Sequence, residues 1–409
     1  MNRIIFIICL LIVFINNISF TTIIISPIYF GWTVNFMYIV GTIAFLPLFY
    51  KNANKVEWSY FLVMFLGLIF HSFLQNSELY TINDSYKWIF IVLIIVIYKS
   101  YKIDNLGFYL ILAFFVINSF LAIYENYLQQ QLFDYKLVEK FENFTDSTEF
   151  RSFGLMGHPL FSANISVIIL SFIIINEHIN KYLKLSLIII GTLALLSFNS
   201  RIAIIIWGCL LVYRYLLYNI KPAYIIVLWI FIYTLFINDF ISLILQNSNI
   251  FGRLSEKNNL LDDSALSRVL SFGYFWSAEW NLKNIILGGR ILYIPGTEVS
   301  LENGILLTIS WWGWLVGTIK VILELVISYS CLRRYNIKDK AIIMIACWLI
   351  AFANNNSFQT FVFVFFVLTY ISFDSFTRNK LKKQSVSFIY NNRKYFINYN
   401  LWKTKKRVS

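Results

Sequence analysis

The sequence predicts an all-α integral membrane protein, a polytopic helical bundle of about twelve transmembrane helices. Three observations lead there. The first is composition: of 409 residues, 59% are hydrophobic, 19% aromatic and only 13% charged, whereas a soluble domain carries roughly 25% charged residues. The second is run length. Apolar stretches of about 18 residues or more recur from end to end, and a run that long crosses hydrocarbon as a helix, where barrel strands would alternate over short segments. The third is the placement of charge. The formal +13 lies mostly in short segments between apolar runs and in the tail, a pattern of membrane topology and not of a nucleic-acid groove.

Taken in order, the apolar runs and their breaks place helices at 4–25, 28–49, 58–75, 88–98, 106–124, 160–176, 185–198, 202–218, 223–245, 303–327, 341–353 and 358–376. Ser26-Pro27 divides the first pair, and Asn199-Ser200-Arg201 divides the seventh helix from the eighth. The segment after Arg3 resembles a signal-peptide core, but it stays apolar to about Ile25 and no small-residue cleavage site closes it, so it reads as an uncleaved first helix.

The positive-inside rule orients this arrangement. With the N-terminus inside, the inner segments collect Lys51, Lys55, Lys99, Lys102, Lys181, Lys184, Arg214, Arg333 and Arg334, and the basic tail follows them. Merging any one pair of helices would put that tail outside. The expectation is a single transmembrane domain over 1–377 and a basic cytoplasmic tail over 378–409, with both termini cytoplasmic. Two long outer loops result, at about 125–158 and 246–302, and long loops without a linker composition tend to carry function. The second contains "SALSRVLSFGYFWSAEWNL". There Leu266, Val269, Leu270, Gly273, Trp276 and Trp280 share a face at helical spacing. Such a helix suits either the membrane interface or the flank of the bundle.

The four cysteines, Cys9, Cys209, Cys331 and Cys347, lie in or at the ends of apolar runs and form neither a disulfide framework nor a metal-ligand spacing. The sequence holds no Walker motif, no metal-binding His pair and no internal repeat. No metal or cofactor is expected.

Chemistry-bearing residues concentrate at the outer face. Arg151, Arg201, Arg268 and Arg290 all fall there. Arg201 occupies a tight turn between two apolar helices, where a charge is costly unless it meets a partner, a cavity or the interface. Arg290 follows Gly288-Gly289, a pair that lets backbone approach a ligand closely. Four arginines on one face suit anionic groups, because guanidinium binds phosphate oxygens bidentately and stays charged. His158, in "RSFGLMGHPLF", is the histidine placed at an outer helix mouth. Pro159 beside it needs no function, since proline is favoured at a helix start. Glu302 and Asn303 open the helix of "LENGILLTISWWGW"; an acid in a first turn is already favoured by the helix dipole. Glu302 and His158 are the two outer candidates for a general base. Lys320 and Glu324, four apart near the inner end of the expected 303–327 helix, read as a structural pair.

In this order the outer motifs resemble the O-antigen ligase/polymerase superfamily. "RSFGLMGHPLFSANI" is similar to its Arg-x-x-Gly-x-x-Gly-His/Asn-Pro segment. "LLSFNSRIAIII" resembles its Ser-Arg turn, and "SRVLSFGYFWSAEWNLKNIILGGR" its Arg, Trp-helix and Gly-rich loop. "LENGILLTISWWGWLVG" is similar to its acid/His-Asn helix opening. Ligases show His before that Asn; Glu302 stands here, and with Gly-His-Pro-Leu at 157–160 the resemblance is closest to Wzy-type repeat-unit polymerases.

The resemblance implies periplasmic-face glycosyl transfer from an undecaprenyl-diphosphate-linked glycan in the bacterial inner membrane, and the sequence shows no carboxylate cluster for a divalent metal, so metal-independent transfer is expected. A flippase and a chain-length co-polymerase would be partners. The resemblance implies an anion-binding role for Arg151, Arg201, Arg268 and Arg290 alone; joined to the two base candidates above, the expected catalytic residues are Glu302, His158, Arg201 and Arg290, with substrate binding by Arg151, Arg268 and Asn303. The alternatives are an O-antigen ligase acting on lipid A-core, or a transporter of the lipid-linked glycan.

Overall fold

A computed structural model describes residues 43, 46–74, 91–96, 98–99, 105–132, 150–157, 159–218, 274–278, 280–287, 303–349, 363 and 365–382. Among them the protein is helical and has no strand. The helices named below are α1 (Lys55–Leu74), α2 (Leu106–Leu128), α3 (Pro159–Ile175), α4 (Lys181–Phe198), α5 (Arg201–Val212), α6 (Leu282–Leu287), α7 (Gly304–Trp312), α8 (Trp314–Cys331), α9 (Ile337–Met344) and α10 (365–382), and residues 46–52, 91–96 and 274–277 are helical as well. The helices expected at 4–25 and 223–245, and most of 28–49, lie outside the described residues.

Local chemistry sets the helix ends. Asn54 and Glu57 form a reciprocal capping box at α1, each side chain accepting from the other's backbone N–H at 2.9 Å. Asn180 caps α4 by accepting from Tyr182 N–H. The turn between α4 and α5 is a true break: Asn199 adopts the left-handed conformation that ends α4, and Ser200 precedes α5.

Three described helices are long and apolar enough to cross a membrane: α2, α4, and the stretch Trp314–Arg334 that contains α8. Their exposed faces identify the solvent. On α8, Leu315, Ile319, Ile322, Val326 and Tyr329 are exposed in one stripe, while Lys320, Glu324 and Ser328 are buried. On α2 the exposed stripe includes Tyr109, Ile117, Phe120 and Tyr124, while Asn118, Ser119 and Glu125 are buried. Apolar outside and polar inside is the reverse of a water-soluble helix. It fits a bundle whose solvent is lipid.

The bundle centres on α3, in which every residue except Leu160 and Phe161 is buried. Such a helix is apolar on all sides and is enclosed by neighbours. α4 packs along both α2 and α3, and Gly191 of α4 lets Phe115 and Leu170 approach closely. α10 completes the enclosure through aromatic contacts, including Phe376 stacked on Phe108 at 3.9 Å and Phe373 against Phe172 at 5.5 Å. The helix expected to end at 376 continues through residue 382.

The single helix expected over 303–327 is two helices. Gly313 has φ 85° and ψ 156°, which no helix accommodates, and α8 restarts at Trp314. α7 then folds back on α8: a Cβ at Gly317 would lie 2.7 Å from Ile309 Cα. Residues eight apart in a straight helix are about 12 Å apart along the axis, so the chain turns sharply at Gly313. One consequence corrects the reading of Lys320 and Glu324. They sit midway along α8 and not near an inner end.

The ion pairs Lys99–Glu57, Arg214–Asp339, Arg214–Glu177, Arg334–Asp374 and Arg378–Asp374 gather at one end of the bundle. Each joins segments that the charge pattern assigns to one side. Tyr98 O–H also donates to Asp374, and Asn379 Nδ2 donates to Asn105 Oδ1 at 2.8 Å.

Candidate functional site

At the opposite end of the bundle, the segment Arg151–Gly157 is folded onto α2 by hydrogen bonds from its N–H groups to α2 side chains and from Ser152 Oγ to α2 backbone. Glu125 is fully buried in the last turn of α2. Its Oε2 accepts from Phe153 N–H at 2.7 Å and Gly154 N–H at 3.0 Å. About two turns back on the same face of α2, Asn118 Oδ1 accepts from Leu155 N–H at 2.8 Å. Ser152 Oγ donates to Ala122 O at 2.7 Å. From the other side, Ser162 Oγ of α3 donates to Phe153 O at 2.7 Å. Donors and acceptors that would be orphaned in an apolar bundle are thereby satisfied.

The two glycines of this segment are backbone requirements. Gly154 has φ 59° and Gly157 φ 64°, flanking a single 3-10 turn over Gly154–Met156. A Cβ on Gly154 would also lie 2.6 Å from Asn118 Oδ1 and 3.2 Å from the Phe198 ring. Gly154→Ala therefore combines a disfavoured φ with a clash inside the Asn118 clamp, an expected loss of at least about 1–2 kcal/mol. A lower unfolding temperature of the purified protein in detergent checks it; an unchanged one would contradict this geometry.

The same segment is tied to the α4–α5 turn. Ser152 N–H donates to Ser197 O at 3.1 Å. Arg151, just before that bond, and Arg201, four residues beyond its acceptor, therefore belong to one end of the bundle. Arg151 Nε is buried and has no hydrogen-bond partner among the described residues. Ser200 does not cap α5 with its side chain, so Arg201 opens a helix whose first N–H groups point to the same end. Two guanidiniums and a helix N-terminus favour an oxyanion with several phosphate-type oxygens.

Asn303 is buried at the start of α7, and its Oδ1 accepts from Ile305 N–H at 3.1 Å and Leu306 N–H at 3.0 Å. That oxygen serves its own helix as an N-cap. His158, Arg268, Arg290 and Glu302 lie outside the described residues.

In the second long loop the structure describes Tyr274–Ala278 and Trp280–Leu287. The inward residue is Phe275, 2% exposed, whereas Trp276 is 65% exposed. Trp276 and Trp280, expected on a shared face, both meet Trp314, with ring centres 5.1 and 5.7 Å from it, and Phe275 is the more deeply buried ring between them. Phe275 and Trp280 pack on Trp314 at the start of α8, with ring centres 5.1 and 5.7 Å from it. The helical piece ends after Ser277, before Trp280 is reached.

No protein-family model matches the chain, and no curated protein matches it. Glu125 and Asn118, which most shape the arrangement around Arg151 and Arg201, did not emerge from the sequence as site residues. Their signal was positional: two polar residues seven apart, on one face of an otherwise apolar helix.

Proposed function

We infer that the protein is a glycosyltransferase of the bacterial inner membrane that polymerises oligosaccharide repeat units carried on undecaprenyl diphosphate. In this reading about twelve helices span the bilayer, both termini are cytoplasmic, and loops 125–158 and 246–302 face the periplasm. What carries it is the clamped Arg151 segment beside the Arg201 turn, which supplies two guanidiniums at one end of an apolar bundle.

The chemistry follows from the substrate. The leaving group is a lipid diphosphate, which departs as a stable anion and needs charge stabilisation more than a proton. Arg151 and Arg201 supply that, with Arg268 and Arg290 contributing from the second loop. The attacking group is a sugar hydroxyl, which loses its proton to Glu302 or His158 as general base. Asn303 fixes the start of α7 by capping its first N–H groups. The transfer uses no metal. A flippase delivers the lipid-linked unit and a chain-length co-polymerase sets product size.

Arg201→Ala or Arg290→Ala should abolish long-chain glycan while the protein still accumulates in the membrane. Full-length polymer from both variants would refute the arginine site. A deletion strain adds a second readout on a glycan gel. Loss of a polymerase leaves one repeat unit on the lipid core, and loss of an O-antigen ligase leaves a bare core with carrier-linked polymer.

One pair of observations favours a second reading, a transporter of the lipid-linked glycan: the chain break at Gly313 and the Lys320–Glu324 pair midway along α8. Broken helices and buried charges are features of transporters. Loss of a transporter leaves repeat units facing the cytoplasm, which the same strain distinguishes.

A further inference from the structure

The segment Tyr274–Leu287 has an inner and an outer side. Phe275 is buried against Trp314, with Leu306 and Ile309 of α7 in the same cluster. Trp280 closes it from the side and donates Nε1–H to Phe275 O at 3.0 Å. Among the described side chains, Trp276 at 65%, Leu282 at 73% and Ile286 at 41% are exposed, alongside the smaller polar Ser277 and Asn281. Trp276 is held rather than loose, since its ring meets both Phe275 and Trp314 edge to face at 5.5 and 5.1 Å.

The height of this cluster can be read from α8. Trp314 is the first residue of α8, and Arg333 and Arg334 follow its far end. Its 18 residues span about 27 Å at 1.5 Å per residue, close to the ~30 Å thickness of the hydrocarbon core. Arg333 and Arg334 mark one boundary, so Trp314 lies at the other. The exposed stripe of α8 begins at the very next residue, Leu315. Anything stacked on Trp314 is therefore at the level where headgroups meet acyl chains, the level at which Trp is enriched.

We propose that Tyr274–Leu287 is an interfacial foot, with Trp276, Leu282 and Ile286 seated in the lipid boundary and Phe275 fastening the foot to α8. The occupant of this face is the bilayer itself. An aqueous face would leave three large apolar side chains in water beside a helix end already at the boundary. Amphipathic segments of this kind bury their apolar side at the headgroup level. The inference does not depend on glycosyl transfer, because it uses only the packing on Trp314 and the length of α8.

Photocrosslinking in native membranes tests it on the full chain. Trp276, Leu282 or Ile286 is replaced in turn by p-benzoylphenylalanine, and adducts are identified by intact mass. Ile322, on the exposed stripe of α8, is the reference position. Phospholipid-mass adducts at the three positions, in yields within about twofold of the Ile322 variant, are expected for residues at bilayer depth. Adducts to saccharide in place of lipid would overturn the foot and make the ring a sugar platform. Adducts to neither class, with Ile322 still labelled by lipid, would overturn it equally. None of these outcomes bears on the Arg201 and Arg290 variants, so the two proposals fail separately.

Discussion

Replacing Glu324 by leucine should prevent the protein from accumulating, while replacing Lys320 by methionine and Glu324 by leucine together should restore most of the accumulation. Lys320 Nζ and Glu324 Oε1 are 2.7 Å apart, and neither side chain is exposed at all. Tyr60 O–H of α1 donates to the same oxygen at 2.8 Å. Removing the carboxylate takes away the ion-pair partner that the buried Lys320 has on its own helix and the oxygen that accepts from Tyr60 O–H. Breaking a buried pair from one side costs about 3–5 kcal/mol, and replacing both members by apolar residues of similar volume is often neutral. Membrane levels and unfolding temperature in detergent measure both variants. A Glu324→Leu protein as stable as the parent would show that neither the pair within α8 nor the Tyr60 bond from α1 to Glu324 stabilises the bundle.

The double variant also separates the two functions. A polymerase whose chemistry lies at the Arg151 end keeps making long-chain glycan without the pair. A transporter that uses the pair loses its activity even though the protein still folds.

The second large effect is expected at Glu125. In Glu125→Ala, the Phe153 and Gly154 N–H groups lose their acceptor in a largely apolar setting. Each such loss costs about 1–3 kcal/mol, so the Arg151 segment should detach from α2 while the rest of the bundle stays closed. Hydrogen exchange reads this directly. The Phe153 and Gly154 amides should exchange at least tenfold faster, which corresponds to about 1.4 kcal/mol. Amides within α3 should be unchanged. Glu125→Gln, which retains one oxygen acceptor, should fall between. Unaltered exchange in Glu125→Ala would remove Glu125 from the clamp.

These residues also mark what the sequence made legible. Apolar runs announced α2, α3 and α4 because burial in lipid demands long uninterrupted hydrophobicity, and the Asn199-Ser200-Arg201 break was visible because polar residues interrupted such a run. The break at Gly313 was not visible. Glycine is common inside membrane helices, and "SWWGWLVG" reads as continuous until the φ and ψ of Gly313 and the contact at Gly317 are known. The clamp was hidden for a different reason. Hydrogen bonds from the Phe153, Gly154 and Leu155 N–H groups to Glu125 and Asn118 join positions about 28 to 37 residues apart, and no local periodicity records them. Arg151 and Arg201 were found because a charge at a hydrophobic boundary is conspicuous. That they share one end of the bundle follows from a single backbone bond between Ser152 and Ser197.

The i, i+4 placement of Lys320 and Glu324 bears on biosynthesis. Both charges belong to one helical turn, so they cancel as soon as that turn forms, before any neighbour is in place. α8 can therefore leave the insertion channel as an electrically neutral body. α1 is synthesised earlier in the chain, and Tyr60 is then already in the bilayer to receive Glu324. A charge pair split between two helices would have required both to enter together. Keeping it within one lets the helices be inserted one at a time, in the order in which the ribosome delivers them.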